Sequence, residues 1–172
     1  AFCYSGGFGV YFLAKSNPKE IVFLDDSSFA LNLAKKNCNA NKKNKNTELV
    51  FKKMDIFKEL SSMQESKETF DIIVLDPPKV TPKKSNFSSG ILSLQRLNKL
   101  AIKMLSQFGL LVTCDCSGNI SWDNFIQMLN KAAIDAGRDA RIIELLGAGP
   151  DHPIIPSCLE NSYLKVIVAS IY

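Results

Sequence analysis

Near-continuous apolar runs alternate with helix-length segments along this chain, and that alternation constrains the fold more than any other feature. "EIVFLD" (20–25), "TELVFKKMD" (47–55), "FDIIVLD" (70–76) and "FGLLVTCDC" (108–116) read as strands, and "AFCY" reads as a short apolar beginning. Helices are expected between them: after "SGG" to about Lys15, over 27–43, over 90–107 and over 121–137. The second carries Phe29, Leu33 and Ala40 at roughly helical spacing behind Ser27 or Ser28 as N-cap. The third has Leu94, Leu97, Ala101, Met104 and Leu105 along one face, and the fourth has Ser121 as cap and Gly137 as stop. "ARIIELLGAG" and "SYLKVIVASIY" close the chain as two strands joined by a proline-containing loop, which predicts an antiparallel pair. Strands apolar on both faces imply an α/β fold whose mainly parallel sheet is covered by helices on both sides. With 172 residues, 46% of them hydrophobic, one core is expected.

In such a fold ligands gather at the carboxyl ends of the strands, so what each strand ends in matters. The first ends in "YSGGFG", where Gly6 and Gly7 let backbone approach a ligand and the next helix offers its first N–H groups. Gly7 and Gly9 form a G-x-G, but Phe12 occupies the third glycine position, which disfavours a dinucleotide pyrophosphate. Asp25, first acid past the second strand, is placed to accept from a ribose diol, although Asp25 and Asp26 could equally cap the next helix. Asp55 could accept from an adenine amino group or serve as an ordinary helix cap. After the fourth strand, Asp76-Pro77-Pro78 puts a rigid wall behind a carboxylate, which suits a site that clamps a flat ring.

The fifth strand ends in "TCDCSG". A disulfide between Cys114 and Cys116 would be badly strained. Zinc would want further ligands at motif spacing, and the lone histidine, His152, sits in a distant "PDHP" loop where a loop-fixing role is expected. Cys114 reads as a packing residue within the strand and Cys116, at its exit, as a nucleophile, with Asp115 between them pointing elsewhere. Five cysteines without framework spacing predict reduced thiols and a cytoplasmic setting, without metal. No run has membrane-spanning length. Net charge is only +4, yet seven lysines against one acid lie between Lys35 and Lys53, and Lys79, Lys83 and Lys84 follow the prolines; a solvated surface or an RNA contact both fit.

Glycine turn, two acids, D-P-P and cysteine, in this order, resemble the S-adenosylmethionine-dependent methyltransferases. More narrowly, "YSGGFG", "LDDSSFAL", "MDIF", "VLDPPK", "CSG", "AAIDAGRDA" and "DHPIIPSCLENSYLK" resemble the 5-methylcytosine RNA methyltransferases of bacterial 23S ribosomal RNA. The resemblance implies a Rossmann-like class I methyltransferase fold, a seven-stranded sheet of order 3-2-1-4-5-7-6 with the last strand antiparallel, and a first strand cut short in this chain. It implies one catalytic domain over 1–172, with upstream PUA and linking domains in a longer protein, RNA as partner and room for a homodimer. Tyr4, Ser5, Gly6, Gly7 and Phe8 would surround the methionine part of S-adenosylmethionine, with S-adenosylhomocysteine as product. Asp25 would hold the ribose with Ser27 beside it, Asp55 and Ile56 would flank the adenine, and Asp76 would border the cofactor as well as hold the cytosine. Pro77, Pro78 and Lys79 would shape the substrate pocket, and Cys116 would match the nucleophile. The chain departs from the family at Leu94-Gln95, usually Tyr-Lys, and at Leu159-Glu160, usually Pro-Glu.

Cytosine C5 is a poor nucleophile, and a thiolate adding at C6 activates it, which is covalent catalysis. The thiol pKa should then be lowered by the following helix or by Lys79, and Asp76 should supply the proton or hydrogen bond near N3/N4. Two other readings are an N-methyltransferase on an exocyclic amine, which typically has an aromatic where Lys79 stands, and an inactive cofactor-binding RNA module.

Overall fold

The computed structural model describes residues 1–41, 46–81, 84–158 and 161–172. Lys42, Lys43, Lys45, Lys83 and the Leu159-Glu160 pair lie outside the described residues. The chain divides into two compact units, 1–59 and 60–172.

The first unit holds α1 (Gly7–Lys15), β1 (Glu20–Asp25), α2 (Ser28–Asn41), β2 (Glu48–Lys53) and the start of α3 (Ile56–Glu65). Strands β1 and β2 pair in parallel from Glu20↔Glu48 to Asp25↔Lys53. Leu13, Phe23, Leu31, Ala34 and Cys38 form the core, and Phe23 stacks on Phe51 at 4.7 Å between ring centroids. The buried face of α2 is therefore Ala30, Leu31, Ala34 and Cys38, not the expected Phe29, Leu33 and Ala40. Phe29 is 74% exposed. The reason is close packing: Ala34 lies so near the backbone of Gly6 that only a small residue fits there, and that contact sets the rotation of the helix. Ser27, rather than Ser28, is the cap, accepting from Ala30 N at 3.2 Å.

The second unit carries the rest of α3, β3 (Phe70–Leu75), a 3₁₀ turn at Lys84–Asn86, α4 (Phe87–Met104), β4 (Leu105–Asp115), α5 (Trp122–Ala136), β5 (Ala140–Leu146) and β6 (Lys165–Ile171). Its sheet runs β3-β4-β6-β5, with β3 and β4 parallel and β6 antiparallel to both neighbours, as expected of the closing pair. Leu94, Leu97, Ala101, Met104 and Leu105 are all buried, together with Leu75, Leu111, Phe125 and Ile167. Ser121 caps α5 by accepting from Asn124 N, and Gly137 ends it in the left-handed region at φ 70°. Leu94 is fully buried and Gln95 donates to Asp135 on α5 at 2.6 Å, so the departure at this pair serves helix packing.

Three expectations are corrected. Among the described residues there are six strands in two sheets rather than one sheet of seven, because Ala1–Cys3 forms no strand; Cys3 N donates to Leu24 O, and Cys3 O accepts from Gly6 N. Helix α4 stops at Met104 and β4 begins at Leu105, three residues earlier than expected. Arg138 draws this junction out of helix: its guanidinium donates to the carbonyls of Leu105, Ser106 and Ile171, and its Nε to Tyr172 O. Strand β5 is not covered on both faces: Ile142, Ile143, Leu145 and Leu146 are exposed.

Candidate active site

In the first unit the glycine turn is built by strain and close approach. Gly6 sits at φ 78°, and a Cβ there would lie 2.9 Å from Ala34 Cβ. Tyr4 is also left-handed at φ 44°, an unfavourable state for a non-glycine residue. Its N–H donates to Asp25 Oδ2 at 2.9 Å, while Asp25 Oδ1 accepts from Ser27 N at 3.0 Å. Asp25 thus joins the glycine turn to the start of α2, and each oxygen keeps one lone pair beyond these bonds. Gly7 opens α1 with no atom within 4 Å of where a Cβ would be, and no side chain caps the helix. Tyr4 and Phe8 are exposed on either side, and Ser5 O accepts from Asn37 Nδ2. Open space, uncapped helix N–H groups and flanking aromatics fit an amino acid moiety whose carboxylate needs donors.

Asp55 caps α3, accepting from Lys58 in a 2.7 Å ion pair while its own N–H donates to Glu59 Oε1. The Lys58 ammonium, first, and the helix N–H groups hold its carboxyl below the ordinary range. Ile56 is buried.

In the second unit the parallel pairing of β3 and β4, Leu75↔Thr113, brings residues nearly forty apart to one strand end. Cys114 is buried at 3% exposure, as a packing residue should be, while Cys116 lies just beyond β4 and is half-buried. Cys116 Sγ stands 4.0 Å from Pro77 O, against the D-P-P loop. Pro77 is buried, whereas Asp76, Pro78 and Lys79 are exposed. Thr81 N donates to Ser117 Oγ at 3.4 Å and Asn119 Nδ2 donates to Thr81 O at 3.0 Å, so the loop after the prolines is tied to the loop after the cysteine.

The electrostatics differ from expectation. Burial, then the charges of Asp115 and Asp76, push the Cys116 thiol up, and Lys79 opposes them without prevailing. Helix α5, expected to help, begins six residues later at Trp122. Asp76 is pushed up by partial burial of its carboxyl although the residue as a whole is exposed. A base stacked against it would exclude more water and push it further the same way, toward a protonated form able to donate.

Sequence reasoning did not find a role for Lys165. It is 4% exposed and forms a buried ion pair with Asp115 across the β4–β6 register at 3.3 Å. A lysine opening an apolar strand was the available signal. His152 is exposed; its N–H closes a turn onto Gly149 O and its Nδ1 lies 3.3 Å from Asp151, consistent with fixing its loop. Among the described residues no group of three or more His, Cys, Asp or Glu could hold a metal, and no helix is long and apolar enough to cross a membrane.

The fold is that of class I methyltransferases. SMU.776, described as a methyltransferase and solved in complex with SAH, matches with a TM-score of 0.80 at 22% identity, over 98% of this chain and 43% of that one. A protein from Streptococcus mutans, described as SAM-dependent, matches with a TM-score of 0.77 at 20% identity over the same shares. The methyltransferase small domain model matches residues 3–115, and the chain belongs to that family. The match stops one residue before Cys116. Curated relatives include Ribosomal RNA large subunit methyltransferase I of Tolumonas auensis, 42% identical over 97% of this chain and 42% of its own length. Its namesakes from Aeromonas hydrophila and Escherichia coli O139:H28 are 42% and 38% identical, over 97% and 95% of this chain and 42% and 41% of their own lengths. The chain thus spans about two fifths of the length of these relatives.

Proposed function

We propose that this chain is the catalytic domain of an S-adenosylmethionine-dependent enzyme that methylates C5 of a cytosine in large-subunit ribosomal RNA through a covalent bond between Cys116 and C6. The names of the relatives support the ribosomal RNA substrate. The observation that carries the chemistry is Cys116 beside the D-P-P loop, a nucleophile against a carboxylate and a rigid wall. Lys79, in place of an aromatic, speaks against transfer to an exocyclic amine. The longer protein would also carry PUA and linking domains. A ribosomal RNA substrate suits the cytoplasm.

Tyr4, Ser5, Gly6, Gly7 and Phe8 would hold the methionine part of the cofactor, Asp25 with Ser27 the ribose, and Asp55 with Ile56 the adenine. When bound, the cofactor supplies a methyl group on a sulfonium. Cys116, once deprotonated, attacks C6; the S–C6 bond forms as the C5–C6 π electrons move into the ring, and Asp76 donates to N3. The enamine so formed would present C5 to the methyl group that the bound cofactor supplies, with S-adenosylhomocysteine as the leaving product. Loss of the C5 proton to a base then returns an electron pair that expels the Cys116 thiolate, and Asp76 recovers its proton. The target base must leave its stack to reach these groups, with lysines on the phosphates.

The test is trapping with 5-fluorocytosine RNA and cofactor, using the full-length protein. Fluorine at C5 cannot leave as a proton, so an adduct should accumulate in wild type and in Cys114→Ala and be absent in Cys116→Ala. Mass spectrometry of RNA nucleosides with and without the gene product should show 5-methylcytosine gained. An adduct lost only in Cys114→Ala, or methylation surviving in Cys116→Ala, would overturn the assignment.

A further inference from the structure

We propose that Asp115 and Lys165 are positioning residues for Cys116: a buried ion pair grips the residue that follows the cysteine and so sets where the thiol points. This rests on Cys116 being the nucleophile. Both polar backbone groups of Ser117 are held by the pair. Its N–H donates to Asp115 Oδ1 at 3.1 Å, and its carbonyl accepts from Lys165 Nζ at 3.2 Å. The same ammonium donates to Tyr163 O at 2.7 Å and lies 3.3 Å from Asp115 Oδ2. That last contact is an ion pair rather than an aligned hydrogen bond, since Oδ2 accepts none. The Ser117 side chain is engaged too, by Thr81 N from the loop after the prolines. One turn is therefore anchored to β4, to β6 and to the D-P-P loop.

Energetics point the same way. Side chains 1% and 5% exposed place two charges out of water. Such a pair is often no more stabilising than a well-packed apolar one, and its best-attested use is to hold one arrangement against others. Here it sits one residue from the reacting thiol.

The charges also bear on the thiol. Asp115, Asp76 and Cys114 face Cys116 together with Lys79, and Asp115 is the strongest of the charges that oppose ionisation. Lys165 partly neutralises it. Removing Lys165 alone should misplace the turn and leave the opposing charge bare; removing the Asp115 charge alone should favour the thiolate while an amide oxygen still accepts from Ser117.

The experiment compares Asp115→Asn, Lys165→Met and the double variant in the full-length protein. Readouts are single-turnover methyl transfer, RNA and cofactor affinity, and alkylation of Cys116 by iodoacetamide against pH, resolved by mass spectrometry with Cys158 as internal reference. Lys165→Met should slow methyl transfer about 10- to 100-fold with affinities held, because small misplacements of a reacting group have effects of that size. Asp115→Asn should move the alkylation profile toward lower pH by about one unit, the scale of a neighbouring charge. The double variant should react faster than Lys165→Met, since no bare charge remains. If Lys165→Met fails to fold, Asp115→Asn and the double variant carry the test. Folded variants with wild-type alkylation profiles and transfer rates would overturn the proposal. The 5-fluorocytosine adduct is scored alongside: its survival in Cys116→Ala sinks the functional reading itself, whereas a normal adduct pattern with silent pair variants sinks only the positioning role.

Discussion

Gly6 and Gly7 are neighbours in one turn, yet alanine at each should fail in a different way. At Gly6 the backbone is left-handed at φ 78°, and the added Cβ would lie 2.9 Å from Ala34 Cβ and 3.2 Å from its Cα. The left-handed conformation costs an L-residue about 1–2 kcal/mol. Neither contacting atom can swing away, so overpacking adds about 1–3 kcal/mol. Gly6→Ala should therefore destabilise by about 2–5 kcal/mol and lower the melting temperature of the catalytic domain by about 4–20 °C, at about 2–4 °C per kcal/mol. A Cβ at Gly7 meets nothing within 4 Å. Gly7→Ala should leave stability unchanged or raise it by about 0.4–1 kcal/mol through the unfolded chain. If the methionine part of the cofactor uses that space, the methyl group should weaken S-adenosylmethionine binding by about 5- to 150-fold, the equivalent of about 1–3 kcal/mol of overpacking. Differential scanning fluorimetry and isothermal titration calorimetry on the full-length protein read the two effects separately. A Gly6→Ala protein that melts with wild type would refute the packing argument. A Gly7→Ala protein with undiminished cofactor affinity would refute the assignment of the turn.

Asp25→Asn should lower cofactor affinity, since Asp25 both holds the strained Tyr4 backbone and keeps lone pairs for a ribose, whereas exposed Asp26→Asn should not; calorimetry showing the reverse would move the ribose site by one residue. Burial, then the Asp76 and Cys116 charges, push the Cys114 thiol up to about 12 from the ordinary 9.0. The unfolded chain releases that proton first as pH rises, so stability is present below pH 9.0 and lost above it, by about 1.4 kcal/mol per pH unit toward the folded value. Cys114→Ala should flatten the alkaline fall in denaturant-measured stability, and an unchanged slope would show that other groups cause it. Leu94→Ala should cost about 2–5 kcal/mol as a core truncation, while Gln95→Ala removes one exposed hydrogen bond and should cost about 1 kcal/mol or less. A loss of RNA affinity in Gln95→Ala without loss of stability would return that pair to RNA contact.

Legibility followed the range of the interactions. Ser121 as cap, Gly137 as stop and the buried face of α4 were readable because capping and helical spacing are local. The face of α2 was misread because Phe29 and Leu33 have the right period and the larger side chains, while the approach of Gly6 to Ala34 selects the small ones. The α4–β4 junction was misplaced because carbonyls around residue 105 answer to Arg138, more than thirty residues on. Asp55 was readable as a cap, and the structure shows it capping.

By itself, the sequence determined the alternation of elements, the glycine turn, the D-P-P wall and the difference between Cys114 inside a strand and Cys116 at its exit, all of which follow from local propensity and side-chain chemistry. Only the tertiary structure decided what stands beside the thiol. Parallel pairing of β3 with β4 sets Pro77 against Cys116, and antiparallel pairing of β4 with β6 sets Lys165 against Asp115. Strand register joins residues tens of positions apart, and charges that oppose or favour a thiolate act through space. A search along the chain for a neighbouring lysine therefore found Lys79, while the structure placed Lys165 under the turn.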